Sequence, residues 1–139
     1  HLIPLTIDVA LGRRLALTLF GIDYPTRDGS CIRDYIHVTD LADAHIRALC
    51  QLDSRSVAYN IGTGRGYSNL EIIQSVERVS GKKVLWEAAP RRGGDPAMLI
   101  ANSNTFRKET GWTPRFSDLD SIVDTAMQWR KKHPYGYKN

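Results

Sequence analysis

The chain has 139 residues, enough for one domain that buries roughly two-thirds of the surface its unfolded form would expose. Its hydrophobic share of 42% and charged share of 24% sit near globular averages and exclude a disordered chain or a coiled coil. The net charge of +4 is dispersed over small clusters, Arg13-Arg14, Lys82-Lys83, Arg91-Arg92 and Arg130-Lys131-Lys132, which excludes a continuous nucleic-acid stripe and suits a small anion better.

The first element is a helix in "LIPLTIDVALG", where Leu2, Leu5 and Val9 recur at helical spacing, Pro4 is tolerated in the first turn and Gly12 is the stop. "LALTLFG" reads as a short strand. "GIDYPTRDGS" carries Pro25 and the turn pair Asp28-Gly29, so it predicts a loop or hairpin connection. "CIRDYIHV" alternates Ile32, Asp34 and Ile36 against Arg33, Tyr35 and His37, the period of a strand.

A second helix follows in "TDLADAHIRALCQL", with Thr39 as N-cap and Leu41, Ala44, Ala48 and Leu52 on its inner face. "VAYNIG" predicts a buried strand. "SNLEIIQSVERVSG" opens on the capping-box pair Ser68 and Glu71, buries Ile72, Val76 and Val79, and stops at Gly81. "KKVLWEAAP" returns as a strand. Two more helices are predicted around Ser103 to Thr110, stopped by Gly111, and around Leu119 to Lys132, with Ile122, Ala126 and Trp129 facing inward. Strands joined through helices imply an α/β domain with partly parallel pairing.

Several motifs bear on chemistry. "GTGRG", residues 62–66, lies between a strand and a helix, where backbone amides either hold phosphate or make a tight connection; its spacing departs from the G-x-G-x-x-G dinucleotide fingerprint. His37, His45 and His133 have no partners at metal-ligand spacing, and no G-x-S-x-G nucleophile elbow occurs. The two cysteines, Cys31 and Cys50, lack C-x-x-C spacing and fit packed thiols of a reducing compartment. With no apolar run near ~20 residues and no signal-peptide pattern, the expectation is a soluble cytoplasmic protein without a membrane partner. The remaining motif, "PRRGGDP" at residues 90–96, sets two planar cationic donors and a carboxylate on pliable glycine backbone, a composition that fits either a solvated surface loop or a binding loop for an anion.

Taken together, "HLIP", "VALGRR", "FGIDYPTRDGSCIRDYIHVTDLADAH", "YNIGTGRGYS", "APRRGGDPA", "GWTPRF" and the terminal W-x-x-K-H-P-x-G-Y pattern from Trp129 to Tyr137 cover essentially the whole chain. In this order and spacing they resemble the C-terminal portion of the UDP-glucose 4-epimerase family of extended short-chain dehydrogenases/reductases. The resemblance implies an α/β, UDP-sugar-binding C-terminal domain over residues 1–139 that lacks the N-terminal Rossmann domain, a truncated or separately expressed substrate domain. It implies Arg33 and Arg92 as ligands of the diphosphate, Asp95 as partner of the ribose hydroxyls, Tyr35 as a nucleotide contact, Phe20 against the uracil, and Leu99 at the border of the sugar pocket.

The same resemblance implies NAD as cofactor of the full-length parent, a homodimer, with none held by this chain alone. The family's chemistry transfers hydride from C4 of the sugar to NAD and returns it to the opposite face. Its G-x-x-G-x-x-G loop and Tyr-x-x-x-Lys base have no counterpart here, so no catalytic residue is assigned and the chain alone is expected to be inactive. His1 stands where family members commonly carry asparagine, and Asn69 where an aliphatic residue is usual. The alternatives are the same portion of another nucleotide-sugar epimerase or dehydratase, and a non-catalytic nucleotide-sugar-binding module.

Overall fold

A computed structural model describes residues 1–52 and 56–137. In chain order the elements are α1 (Leu2–Ala10), β1 (Leu17–Phe20), β2 (Ile32–Asp34), α2 (Val38–Leu49), β3 (Gly66–Ser68), α3 (Asn69–Ser80), β4 (Trp86–Ala89), β5 (Met98–Leu99), α4 (Asn104–Thr110) and α5 (Leu119–Lys132). The α/β expectation holds, and the strands divide into two small sheets. β1 runs parallel to β4, and β2 lies between antiparallel β3 and parallel β5.

The main core lies where α1, α3 and α5 meet the inner face of β1. Ile7, Leu19, Ile72, Val76, Val123 and Met127 are all at most 1% exposed there. The spacing of Ile3, Ile7 and Ala10 on α1, and of Ile122, Val123 and Met127 on α5, makes one apolar stripe per helix, and burying these stripes against each other is the main driving force for the fold. Arg130 of α5 fastens α1 from outside the core, donating from Nε and Nη2 to the two oxygens of Asp8 at 2.9 and 2.6 Å. A second cluster joins Ala44 of α2 to Phe106 of α4 and Trp112, whose indole Nε1 donates to the Asp40 carbonyl at 3.2 Å.

Local chemistry sets the ends of α3: Ser68 accepts from the Glu71 amide at 3.1 Å, Glu71 accepts from the Ser68 amide at 2.7 Å, and Gly81 closes the helix in a left-handed conformation. Elsewhere the sequence reading needs correction. β2 stops at Asp34, because the chain beyond it turns into the cap of α2. That cap is His37 and not Thr39: His37 Nδ1 accepts from the Thr39 amide at 3.1 Å, which leaves the proton on Nε2 to donate to Thr125 Oγ1 at 2.9 Å. Leu52 lies past the end of α2 and is exposed, and Cys50, expected to be packed, is exposed as well.

"VAYNIG" forms neither a strand nor a buried segment. Its backbone is used differently: the Gly62 carbonyl accepts from Ser103 Oγ at 2.9 Å, while Tyr59 and Ile61 pack on the Phe106 cluster. The "KKVLWEAAP" strand contracts to Trp86–Ala89, and "LALTLFG" to Leu17–Phe20, which leaves Leu15 exposed. "GIDYPTRDGS" is a loop, as its turn signals allowed, held by Asp28 Oδ1, which accepts from the Ser30 amide and hydroxyl. Trp129 does not face the core; it stands at the surface with His133 and Tyr137 around it.

Candidate functional site

The two sheets and the start of α1 enclose a cleft of about 620 Å³. Phe20 at the end of β1, Arg33 and the following Tyr35 at β2, and Arg92 and Asp95 of the loop after β4 all line it. The parallel pairings make this convergence possible: β1–β4 brings Phe20 level with Ala89, just before the loop, and β2–β5 brings Arg33 level with Leu99, just after it. Five of the six binding residues expected from the sequence therefore share one cavity. Leu99 is not in the cavity lining and is exposed on β5. His1 and Asn69, the two departures from the family pattern, line the same cleft.

Each side chain in the cleft has defined partners. The Arg92 guanidinium lies over the Phe20 ring, its Cζ 3.8 Å from the ring centre, which fixes a cation against an aromatic face and leaves its N–H edges for an anion. Arg33 Nη1 donates to the carbonyls of Ile32 at 2.8 Å and Pro96 at 2.9 Å, and its Nη2 stands 3.5 Å from Asp95 Oδ1. The turn between the loop residues is closed by the Asp95 amide donating to the Arg92 carbonyl at 3.4 Å. Burial pushes the Tyr35 hydroxyl up to about 12, against an opposing pull from Arg33, so it remains a neutral donor throughout the neutral range. Two cations with one ion-paired carboxylate, beside an aromatic ring and a phenol, match a diphosphate joined to a base and sugar.

Asp34 has a role that no local sequence signal marks. Its carboxylate accepts from the Thr63 amide at 3.0 Å, the Thr63 hydroxyl at 2.6 Å, the Gly64 amide at 2.9 Å and the Ala101 amide at 3.3 Å. The Thr63 and Gly64 amides of "GTGRG" are thus already bonded to an internal anion, and a Cβ on Gly62 would stand 2.6 Å from Asp34 Oδ2. Those two amides already have an acceptor within the chain, as a tight connection requires. Among the described residues no group of three or more His, Cys, Asp or Glu side chains could hold a metal ion, and no helix is long and apolar enough to cross a membrane.

The model of the NAD dependent epimerase/dehydratase family matches residues 1–62. The UDP-glucose 4-epimerase of Lacticaseibacillus casei is 48% identical over 139 residues, which is 99% of this chain and 42% of that protein. The crystal structure of UDP-glucose 4-epimerase from Bifidobacterium longum in complex with NAD+ and UDP superimposes with a TM-score of 0.92 at 38% identity, covering 99% of this chain and 41% of that one. The UDP-Glc/GlcNAc 4-epimerase of Campylobacter jejuni gives 0.83 at 42% identity, over 94% of this chain and 40% of that one. The chain thus spans about two-fifths of the relatives it matches, and it corresponds to their C-terminal portion.

Proposed function

We infer that this chain is the UDP-sugar-binding C-terminal portion of a UDP-glucose 4-epimerase, a single domain over residues 1–139, and the reading proceeds from its likeness to those enzymes along its whole length. The observation that carries it is the arrival of Arg33 and Arg92, from segments distant in sequence, at one cleft beside Phe20 and Tyr35. Arg33 and Arg92 grip the diphosphate, since guanidinium offers planar paired donors to phosphate oxygens. Phe20 receives the uracil, Tyr35 contacts the nucleotide, and Asp95, already oriented by Arg33, accepts from the ribose hydroxyls.

NAD, when bound by the whole protein, accepts and returns the hydride at C4 of the sugar. The residues of this chain bind and orient the UDP-sugar so that C4 faces that cofactor. The dinucleotide loop and the proton-transferring base belong to the remainder of the enzyme, which this chain meets across its cleft. The parent works as a cytoplasmic homodimer in galactose metabolism, and Leu99 borders the sugar end of the site.

The reading is tested by calorimetric titration of the chain with UDP, and by incubating it with NAD and UDP-galactose with and without the separately expressed N-terminal domain. UDP binding by the chain, with turnover only on mixing, is expected. Turnover by the 139-residue chain alone would overturn the division of labour, and failure of the mixture to bind UDP would overturn the site.

A further inference from the structure

Arg91 and Arg92 are neighbours in sequence with separate surroundings. Arg92 stacks on Phe20 in the cleft, whereas Arg91 is turned to the junction between β1 and the loop after it. Arg91 Nε donates to Asp23 Oδ1 at 2.8 Å, its Nη2 donates to the Asp23 carbonyl, and its Cζ lies 4.3 Å from the centre of the buried Tyr24 ring. Tyr24 and Arg91 both pack onto the bare α-carbon of Gly21, where a Cβ would collide with the Tyr24 ring and stand 2.9 Å from Arg91 Cγ. Gly21 also has a positive φ of 72° and donates its amide to the Ala89 carbonyl at 2.9 Å, extending the β1–β4 contact to the start of the loop.

We propose that Arg91 is a positioning residue for the nucleotide-sugar site, pinning the 90–96 loop to the end of β1 through Asp23 and Tyr24 and so holding Arg92 over Phe20. The inference rests on the reading of the cleft as a UDP-sugar site. Gly93 and Gly94 have open space around their α-carbons, so apart from the 3.4 Å Asp95–Arg92 backbone contact no side-chain packing among the described residues holds the middle of the loop. Its far end is held by Arg33, through Asp95 and Pro96. Arg91 is the corresponding hold at the near end, and Arg92 lies between the two. Without Arg91, the Arg92 guanidinium is free to leave the Phe20 ring, and binding an anion must order it again. Consistent with a standing pair, the hydrogen bond from Arg91 keeps the Asp23 carboxyl below the usual carboxylate range. Because the pair is exposed, it contributes little to global stability, and its effect falls on the placement of Arg92.

The test compares wild type with Arg91→Ala, Arg91→Lys and Asp23→Ala, using one measurement without ligand and one with UDP. In heteronuclear spectra of the free chain, the Arg92 Nε–Hε signal is expected to carry a ring-current shift from Phe20, to be assigned by its loss in Phe20→Leu. Arg91→Ala and Asp23→Ala are expected to move that signal toward the free-arginine position, with Arg91→Lys in between, while the melting temperature stays near wild type. By calorimetry, the Kd for UDP is expected to rise roughly tenfold in Arg91→Ala, and the same change in an Arg92→Ala background to add less than about twofold. An unmoved Arg92 signal in Arg91→Ala, or a shifted signal with unchanged Kd, would overturn the inference. If wild type fails to bind UDP both alone and mixed with the N-terminal domain while the Arg92 signal responds as expected, the reading of the cleft falls and the pin stands.

Discussion

Arg33 and Asp95 face each other at 3.5 Å, and the same guanidinium donates to the carbonyl of Pro96, so the residue assigned to the diphosphate also anchors the end of the loop that carries the second arginine. Removing Arg33 therefore loses a ligand and loosens Asp95 together. Arg33→Ala and Arg92→Ala are each expected to weaken UDP binding by about 1.5–3 kcal/mol, the size of a charge-assisted contact, with wild-type affinity falling as salt is raised. Calorimetry at two ionic strengths checks this; equal affinity in wild type and both variants would sink the assignment.

The raised Tyr35 hydroxyl makes a prediction at alkaline pH. The folded group holds its proton to about 12, while the unfolded tyrosine ionises near the ordinary value of 10.0. Between those values the unfolded state binds fewer protons, so the stability contributed by the buried neutral hydroxyl is complete below pH 10.0 and is lost as pH rises toward 12. The expected slope from this group is about 1.4 kcal/mol per pH unit across that window. Urea unfolding at a series of alkaline pH values should show a shallower decline in Tyr35→Phe than in wild type.

Asp34 ties β2 to the 62–66 loop and to Ala101 with four donors, so its replacement acts at three segments together. Asp34→Ala is expected to destabilise the chain by about 2–3 kcal/mol, lowering the urea midpoint with little change in slope. Gly62→Ala should act at the same place, because the new methyl would stand 2.5 Å from the Ala101 Cβ. If both variants unfold at the wild-type midpoint, the network does not hold the loop.

Leu99 pairs with Arg33 across the β2–β5 ladder, which puts it beside the cleft and outside its lining. In the whole enzyme under the proposed epimerase reading, Leu99→Tyr is expected to reduce kcat/KM for UDP-GlcNAc relative to UDP-Glc by roughly tenfold or more, since added bulk at a pocket border discriminates by steric exclusion. An unchanged ratio would show that the position does not gate the N-acetyl group.

Features that depend on one short stretch of residues were legible in the sequence. The Ser68–Glu71 capping box, the Gly81 and Gly111 stops, and the burial of Ile72 and Val76 on α3 and of Ile122 on α5 formed where their chemistry placed them, whereas Trp129 turned outward. The cleft residues were legible through their motifs. Asp34 was not, because its donors come from residues 63, 64 and 101 and only the fold gathers them. β5, two residues long, exists by virtue of its partner β2 and has no periodicity of its own. His37 as a cap was hidden by tautomerism, since its Nδ1 accepts only when Nε2 carries the proton. "VAYNIG" has a strand's composition, but the Gly62 carbonyl bonds to Ser103 and not to a neighbouring strand.

The cleft is closed by contacts between residues far apart along the chain: 68 positions separate Asp23 from Arg91, and 63 separate Arg33 from Pro96. Closing such long loops is slow compared with forming α1 or α3, so the binding site is expected to be among the last features to assemble during folding. On the ribosome, residues 17–34 must wait for residues 86–99 to be synthesised before their parallel partners exist. Until then β1 and β2 present unpaired edges, and in a stalled or shortened nascent chain those edges are the natural place for a chaperone to bind or for aggregation to begin.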